Sequence, residues 1–313
     1  MNTSAARSAD TIGTIVTKRD PSLPAFLATA AAVLAIRAGT IVDVDGRTFT
    51  FDVDTAIGFE PPAPGQDCFV VLGDDGALTA HPVATIADLE RPGVLGGFHF
   101  APGGCAVARA GGDETPAINP HSLWDVGYRP ACADPRGMAY VARSPGAPHV
   151  PGFWCDVYLL AQDHRDGTSR FGVTIADGDN LPTPADGTEG NVKRCDWPTV
   201  TAILERHGKG LLSIDEFFAA AYGVVEREAA VDRVEQTALD ARRTSRFGLM
   251  QAVGQRSTWG HDGDPDERRA CWFGGGWIFG GWAGSRVAVV EHWPDGSGGW
   301  LGARGRSDHL QLG

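Results

Sequence analysis

Residues 272–313 read WFGGGWIFGGWAGSRVAVVEHWPDGSGGWLGARGRSDHLQLG, and this stretch decides the fold of the chain. It holds five of the nine tryptophans of the protein, interleaved with short runs of glycine. Tryptophan combines a large apolar surface with a polar N–H, whereas glycine allows close backbone crossings and a positive φ. The mixture indicates either a strand-rich core with tight turns or rigid aromatic residues displayed on a tightly turned scaffold.

Three motifs in this stretch favour the display scaffold. They are, in order, Phe273-Gly274-Gly275 followed by Trp277, then Gly284-Ser285-Arg286, then Gly302-Ala303-Arg304-Gly305 followed by Asp308-His309-Leu310. In this order they resemble the variable region of the variable proteins of diversity-generating retroelements. The resemblance implies an α+β, C-type lectin-like fold of the branch that contains the formylglycine-generating enzyme, with a variable segment at 272–313.

Residues 197–223 carry the clearest helical pattern. Pro198 fits the first turn of one helix, and Gly208 is expected to end it. Ser213 and Glu216 form a capping box at the start of a second helix. Its apolar residues follow the i, i+3, i+4, i+7 spacing of a buried face: Ile214, Phe217, Phe218 and Ala221. This stretch resembles the helix motif of the formylglycine-generating-enzyme branch, so we assign residues 96–313 to one ligand-binding domain.

The first 95 residues predict an arm followed by a small β-rich domain. Residues 1–24 are small and polar and are interpreted as a flexible arm. The apolar run 25–36 is shorter than the roughly 20 residues that span a bilayer, and it lies too deep in the chain for a signal peptide. Alternating residues around Asp45-Gly46 and around 73–76 indicate two β-hairpins. We assign residues 25–95 to a β-rich assembly domain.

The overall composition limits the classes of partner and cofactor. The chain of 313 residues has a net charge of −12, which argues against a nucleic-acid or anionic-membrane partner. Its six cysteines are scattered, without a Cys-x-x-Cys pair or a histidine at metal-ligand spacing. Reduced, mostly buried thiols are therefore expected, with no zinc site and no cofactor.

The loop 261–267 is a candidate cation site. It places four acidic residues beside His261, and oxygen ligands of this kind bind calcium. Because no ligand spacing is fixed, we interpret the segment as a solvated acidic loop and predict no metal site.

Catalytic machinery is not predicted. The resembled oxidases need a reactive cysteine pair near the end of the fold, and only Cys271 lies beyond residue 195. Ser307, Asp308 and His309 are triad residue types, but neighbouring residues of a strand point to opposite faces and cannot form a relay. Arg304 and Asp308 are predicted to form a structural ion pair instead. A formylglycine-generating-type oxidase and a calcium-dependent sugar-binding lectin remain as alternatives.

Segment 272–313 is predicted to contain two kinds of position. The structural frame consists of the motif residues: Phe273, Gly274, Gly275, Trp277, Gly284, Ser285, Arg286, Gly302, Arg304, Gly305, Asp308 and His309. The ligand-binding face consists of residues between the motifs: Ile278, Phe279, Trp282, Val289, Glu291, His292, Trp293, Asp295 and Trp300. Aromatic anchors with a polar fringe are the usual composition of a recognition surface.

Residues and resemblance together predict a receptor-binding protein of a phage or prophage tail. The resemblance implies that mutagenesis of the variable segment produces a repertoire of binding faces on a constant fold. The expected partners are a protein or glycan receptor on a target cell and, through the N-terminal domain, other tail components. Homo-oligomers fit this arrangement, because several linked copies raise avidity. The expected location is the virion tail, after synthesis in the bacterial cytoplasm.

Overall fold

The computed structural model describes residues 14–165, 167–290 and 293–310. Within these ranges the chain forms short strands and two α-helices, so the fold is a sheet-dominated α+β fold. None of the helices in the described ranges is long and apolar enough to cross a bilayer.

The N-terminal part is built from short antiparallel strands. They are β1 (Ile15–Thr17), β2 (Phe26–Ala30), β3 (Val33–Ile36), β4 (Thr40–Val44), β5 (Arg47–Phe51), β6 (Thr55–Ile57), β7 (Gln66–Leu72), β8 (Leu78–Pro82), β9 (Val94–Ala101), β10 (Ala117–Ile118) and β11 (Trp124–Asp125). They form sheets in the orders β1-β4-β5, β2-β3-β6 and β10-β9-β7-β8, and β11 also pairs with β9. One apolar cluster joins the three sheets, and its fully buried members include Phe26, Ile36 and Phe98.

Both predicted hairpins are present. β4 and β5 pair across Asp45 and Gly46, whose φ angles are 50° and 80°. A two-residue turn with positive φ at both positions matches the twist of antiparallel strands, which explains the Asp-Gly sequence. β7 and β8 form the second hairpin. The apolar run 25–36 forms a third, between β2 and β3.

The predicted domain boundary after residue 95 falls within a continuous sheet. β9 crosses it and pairs with β7 on one side and with β10 and β11 on the other. Backbone pairing of the N-terminal sheets therefore continues to Asp125. The division of the chain at this position stays a prediction.

Residues 14–24 are tied to the rest of the fold. β1 pairs with β4, and the Lys18 ammonium donates to the Asp125 carboxylate at 2.9 Å, with both side chains buried. The same carboxylate accepts the backbone N–H of Ala25 at 2.6 Å. Breaking a buried ion pair costs about 3–5 kcal/mol. For residues 14–24 the structure thus differs from the predicted arm, and residues 1–13 of that arm lie outside the described residues.

The C-terminal part contains the remaining strands and both helices. They are β12 (Met138–Val141), β13 (Phe153–Asp156), α1 (Trp197–Arg206), β14 (Leu212–Ser213), α2 (Ile214–Ala220), β15 (Ser257–His261), β16 (Ala270–Phe273), β17 (Ala288–Val289), β18 (Leu301–Gly302) and β19 (Arg306–Ser307). One sheet has the order β12-β13-β19, and the other has the order β14-β15-β16-β17, with β18 pairing parallel to β15. Segment 272–313 therefore supplies strands to both sheets.

Helix α1 begins as its sequence predicts. The Asp196 carboxylate accepts the backbone N–H of Thr199 at 3.1 Å, and Pro198 occupies the first turn, where its missing N–H breaks no helical bond. After the helix, Gly208 adopts a φ of 68°, the left-handed conformation that commonly ends helices.

Helix α2 is fixed by its predicted capping box and by an aromatic contact. The backbone N–H of Glu216 donates to Ser213 Oγ at 3.3 Å, and the backbone N–H of Ser213 donates to Glu216 Oε2 at 2.9 Å. Phe217 of the helix stacks on Phe273, with ring centroids 5.0 Å apart. This contact joins α2 to the strand β16, which leads into segment 272–313.

Strand β16 contributes to two apolar clusters. Cys271 and Phe273 belong to one, whereas Ala270 and Trp272 belong to the other. Successive residues of a strand point to opposite faces, so a strand buried on both sides is apolar throughout. The beginning of segment 272–313 is therefore part of the core.

Candidate ligand-binding face

Most residues of the predicted frame are buried. The buried members are Phe273, Gly274, Gly275, Gly284, Ser285, Gly302, Arg304 and Gly305. Trp277 and His309 are half-buried, whereas Arg286 and Asp308 are exposed. The motif residues of segment 272–313 thus lie mainly inside the fold.

The Gly274-Gly275 pair occupies backbone that only glycine enters easily. Both residues have positive φ, 83° and 68°. A Cβ on Gly275 would collide with the carbonyl oxygen of Trp282 and would lie 2.8 Å from the Ala283 Cα. The Gly275 carbonyl accepts the backbone N–H of Gly254 at 2.7 Å. Absence of a side chain lets the loop fold back on itself here.

Ser285 attaches the middle of the segment to an acidic side chain outside it. Its backbone N–H donates to Glu226 Oε2 at 3.1 Å, and its hydroxyl donates to the other carboxylate oxygen. A Cβ on Gly284 would collide with the same carboxylate. The Gly284-Ser285 pair therefore binds the Glu226 carboxylate, and the absence of a side chain on Gly284 leaves room for that carboxylate.

Arg304 holds the last part of the segment to the core through three backbone carbonyls. Its buried guanidinium donates to the oxygens of Asp156, Val157 and Met250 at 2.7, 2.6 and 2.6 Å. The predicted Arg304–Asp308 ion pair is wrong, because Asp308 is exposed and instead accepts from Arg306 at 2.7 Å. A planar guanidinium with several fixed donors suits such a cluster of carbonyls.

The Ser307-Asp308-His309 sequence forms no relay. Ser307 Oγ accepts the backbone N–H of Cys132 at 3.0 Å. His309 Nδ1 accepts the indole N–H of Trp154 at 3.0 Å, and burial lowers the pKa of this imidazole. Each side chain therefore has a separate structural contact.

The predicted face divides into exposed and half-buried residues. Ile278, Trp282 and Trp293 are 49, 79 and 76% exposed, and Asp295 is also exposed. Phe279, Val289 and Trp300 are half-buried. Glu291 and His292 lie outside the described residues. The role of these residues in binding stays a prediction.

The half-buried aromatic residues form a cluster beneath the face. Phe279 stacks on Trp272 with ring centroids 5.1 Å apart, and Trp300 meets Trp272 edge-on at 5.5 Å. Phe279 and Trp300 also meet edge-on at 5.3 Å. Aromatic pairs of this geometry contribute about 0.5–1.5 kcal/mol each beyond their buried area. Phe279 and Trp300 thus support the face as well as bordering it.

A buried charge network that the sequence interpretation missed supports residues 296–300. The fully buried Asp177 accepts from Arg256 Nε at 2.9 Å and from Arg233 at 3.2 Å. Next to it, the backbone N–H of Gly178 donates to the Gly298 carbonyl at 3.1 Å. Arg256 is the sequence feature that could have revealed this network, because an arginine directly before a buried strand needs a buried acceptor.

In the acidic loop 261–267, a carboxylate accepts hydrogen bonds from the backbone of the same loop. Asp264 Oδ1 accepts the backbone N–H groups of Asp266 and Glu267 at 2.9 and 3.1 Å, and these bonds lower the pKa of that carboxyl. Among the residues that the structure describes, no group of three or more His, Cys, Asp or Glu side chains is placed to hold a metal ion.

The thiols lie in surroundings that disfavour the reactive anion. All six cysteines are within the described ranges and none is disulfide-bonded. Burial raises the pKa of Cys68, Cys105 and Cys155 to about 12. Since the thiolate is the nucleophilic form, these three groups are unreactive near neutral pH.

Comparison with known proteins gives consistent relatives over nearly the whole chain. A family model described as the Mtd second domain matches residues 24–125, which include every N-terminal strand from β2 to β11. The Tail fiber receptor-binding protein of Bordetella phage BPP-1 is 36% identical over 340 residues, spanning 97% of this chain and 87% of the relative.

Solved structures agree with the fold. Those of the Major Tropism Determinant M1 and I1 variants match with TM-scores of 0.85 and 0.84 and identities of 34 and 35%. Each match covers 97% of this chain and 88% of the other. The predicted fold class, an α+β fold of the C-type lectin-like kind preceded by a β region, is confirmed by this agreement. The chain belongs to the family of the major tropism determinants and the tail fiber receptor-binding protein of phage BPP-1.

Proposed function

We propose that this chain is the tropism determinant of a phage or prophage tail and binds a receptor on a target cell through segment 272–313. Membership of a family with a tail fiber receptor-binding protein supports this function. The observation that carries it is the division of burial within one segment. The motif residues are mainly buried, whereas Trp282 and Trp293 are 79 and 76% exposed.

The exposed side chains of Trp282 and Trp293 would favour binding of a receptor. A tryptophan side chain can bury about 150–250 Å², which corresponds to roughly 4–6 kcal/mol before the costs of association are subtracted. A few anchors of this size suffice for micromolar binding, and several copies on one virion would raise the avidity further. Large exposed aromatic residues would otherwise be a liability for a soluble surface.

The frame also supports the finer proposal that the segment is diversified. Ser285 is held by Glu226, and Arg304 by backbone carbonyls, so neither anchor uses a side chain of the predicted face. Side chains at 278, 282, 293 and 295 can therefore change while the backbone keeps its course. Positions 279 and 300 should accept mainly large apolar residues, because they pack on Trp272.

The remaining partners follow from this role. We assign the chain to the virion tail, with a protein or glycan receptor as its ligand and with the N-terminal β region, predicted as 25–95, attached to other tail components. Homo-oligomers would present several faces together. Neither a nucleic acid nor a membrane is proposed as a partner, and no cofactor or catalytic turnover is needed for recognition.

A binding experiment tests the function. Purified, fluorescently labelled chain is incubated with a panel of bacteria that includes the strain carrying its gene, and binding is measured by flow cytometry. We expect Trp282→Ala/Trp293→Ala to reduce binding at least about thirtyfold, because even one removed anchor costs about 2 kcal/mol or more. The matched control, Ile15→Ala/Val53→Ala, removes exposed apolar side chains of the N-terminal part.

Two results would contradict this function. One is equal binding by the tryptophan variant, the control and the unaltered chain. The other is loss of binding in a chelator, which would favour a calcium-dependent lectin instead. Melting temperatures of all variants are measured in parallel, so that unfolding is not mistaken for loss of recognition.

A further inference from the structure

A groove of about 680 Å³ lies beside Trp282. Three of its eight lining residues lie outside segment 272–313, and a fourth, Arg286, belongs to the predicted frame of that segment. We call it the arginine groove. Its lining residues are Arg109, Glu226, Arg227, Gly281, Trp282, Ala283, Arg286 and Val287. An inference about its ligand rests on the receptor-binding function proposed above.

Backbone hydrogen bonds place a segment of the constant region directly against the exposed loop. The backbone N–H of Arg227 donates to the Ala283 carbonyl at 2.7 Å, and that of Ala229 donates to the Gly280 carbonyl at 2.9 Å. Arg227 has a φ of 60°, which is unfavourable for a residue with a Cβ. Such a conformation persists only where its surroundings enforce it. The fold therefore fixes the backbone of Arg227 at the edge of the groove that this residue lines.

The charges of the groove are unequal. Three arginines line it together with one carboxylate, that of Glu226. Glu226 is already used, because it accepts two hydrogen bonds from Ser285 and one from Arg109 at 3.1 Å. Within the described residues, Arg227 and Arg286 form no ion pair, and the Arg286 guanidinium lies 5.4 Å from the centre of the Phe218 ring. The groove thus carries two unneutralised cations on a chain whose net charge is −12.

Two guanidinium groups with free donors recognise carboxylates well. Arginine binds a carboxylate through paired N–H donors, and such charge-assisted bonds are shorter and stronger than neutral ones. A local positive region on an acidic protein also steers an acidic partner to that place. The ligand group that fits the arginine groove is therefore an anion, and on a protein surface the common anion is a carboxylate.

Exposed aliphatic residues close in sequence to the groove residues favour a protein as the source of this carboxylate. Val107 is 96% exposed and lies two residues from the lining residue Arg109. Ile278 and Val290 are 49 and 47% exposed and lie three residues from Gly281 and Val287, respectively. Aliphatic residues next in sequence to an aromatic and arginine lining match an apolar protein surface, whereas a glycan presents mainly hydroxyl groups.

We propose that the arginine groove binds an aspartate or glutamate side chain of a protein receptor, whatever residues the variable positions carry. Arg227 lies outside segment 272–313 and Arg286 belongs to its frame, so the contact would be common to all variants of the face. Variable positions would select among receptors, and the groove would supply a constant, salt-dependent attraction to acidic ones.

Fluorescence anisotropy with an acidic peptide tests the groove directly. The probe is fluorescein-labelled decaglutamate, titrated with the full chain at about 20 and about 200 mM NaCl, between which screening of exposed charges rises strongly. For the unaltered chain we expect the Kd to rise severalfold with salt. Arg227→Glu/Arg286→Glu should raise the Kd at low salt by at least about tenfold, because like charges now face the probe.

The chain offers a matched control. Arg165 and Arg206 are exposed and line a separate groove of about 670 Å³, so Arg165→Glu/Arg206→Glu produces the same change of net charge in a space of similar size. We expect this variant to stay within about twofold of the unaltered chain, as is usual for distant charges at moderate salt. If the first variant does not fold, Arg227→Gln/Arg286→Gln removes the charge while keeping side-chain length.

Three results would overturn the inference. Decaglutamate could bind the groove variant as tightly as the unaltered chain, or the control variant could lose binding equally. Alternatively, oligosialic acid or a heparin oligosaccharide could displace decaglutamate and bind more tightly, which would make a glycan the source of the negative charge.

Measurements of binding to the bacterial panel distinguish a failure of the groove proposal from a failure of the receptor-binding proposal. If Arg227→Glu/Arg286→Glu binds cells normally while Trp282→Ala/Trp293→Ala does not, the groove has no role and the receptor-binding function stands. If neither variant changes cell binding, both proposals fail. Reduced binding by both variants, with the control unchanged, supports both.

Discussion

Two adjoining parts of segment 272–313, residues 278–300 and residues 301–307, differ in burial. Residues 301–307 are nearly all buried, and Arg304 alone donates to three core carbonyls. Between 278 and 300, by contrast, Ile278, Trp282 and Trp293 are largely exposed. Residues 278–300 contact the core mainly through backbone groups and through the packing of Phe279 and Trp300 on Trp272. The residues that hold the segment to the core are therefore different from those proposed to bind a receptor.

This difference would allow the proposed binding face to vary without loss of the fold. Buried polar groups such as those around Arg304 must keep their partners, because an unpaired buried donor or acceptor costs about 1–3 kcal/mol. Exposed side chains have no such requirement, and their replacement usually changes stability by less than about 0.5 kcal/mol. Four substitution experiments, ordered by expected effect on stability, test this comparison.

The largest effect is expected for Arg304→Met. The substitution leaves three carbonyls near the core without a donor, so the free energy of unfolding should fall by about 3–5 kcal/mol, or the chain should not fold. Urea unfolding followed by circular dichroism gives the value. Arg286→Met is the matched control in the same segment, since Arg286 is exposed and should lose less than about 1 kcal/mol. Similar losses for both would remove the distinction between buried and exposed residues of this segment.

The next effect is expected for Asp177→Asn. This change removes the buried carboxylate that receives Arg256 and Arg233, so the free energy of unfolding should fall by about 2–4 kcal/mol. Asp295→Asn is the control, because among the described residues that carboxylate forms one exposed ion pair, with Arg194. An equal and small loss for the two variants would show that the network does not hold residues 296–300.

A smaller effect should separate the aromatic residues of the face itself. Phe279→Ala should lower the free energy of unfolding by about 1–3 kcal/mol, because Phe279 packs on Trp272 and Trp300. Trp282→Ala should lower it by less than about 0.5 kcal/mol, because the indole is 79% exposed. The reverse order would place Trp282 in the core and leave recognition to other residues.

The smallest effect concerns acid sensitivity of the frame. Burial lowers the pKa of His309 below its ordinary value near 6.5. The unfolded chain therefore binds a proton more readily than the folded one, so stability should fall as the pH drops below about 6.5. Unfolding curves at several pH values should show a weaker decline for His309→Gln than for the unaltered chain. Parallel curves for the two proteins would contradict the burial of a neutral imidazole.

Local patterns determined the parts of the fold that depend on neighbours in sequence. The Asp45-Gly46 turn, the Ser213–Glu216 capping box and the Pro198 helix start are each formed by residues within four positions of one another. The motifs of segment 272–313 identified the fold class through resemblance. All five glycines of the predicted frame are buried, and at Gly275 and Gly284 close approach of other groups excludes a side chain.

Tertiary structure alone decided the partners of buried charges and the exposure of the tryptophans. Asp177 and Arg256 are 79 positions apart, and Arg304 and Asp156 are 148 apart, so no local pattern pairs them. Phe279 and Trp282 are equally apolar in sequence, yet one packs on Trp272 and the other faces solvent. Short-range preferences fix turns and caps, whereas burial depends on which distant elements pack together. The sequence by itself therefore determined the scaffold and its motifs, and only the packed fold decided which side chains are left to meet a receptor.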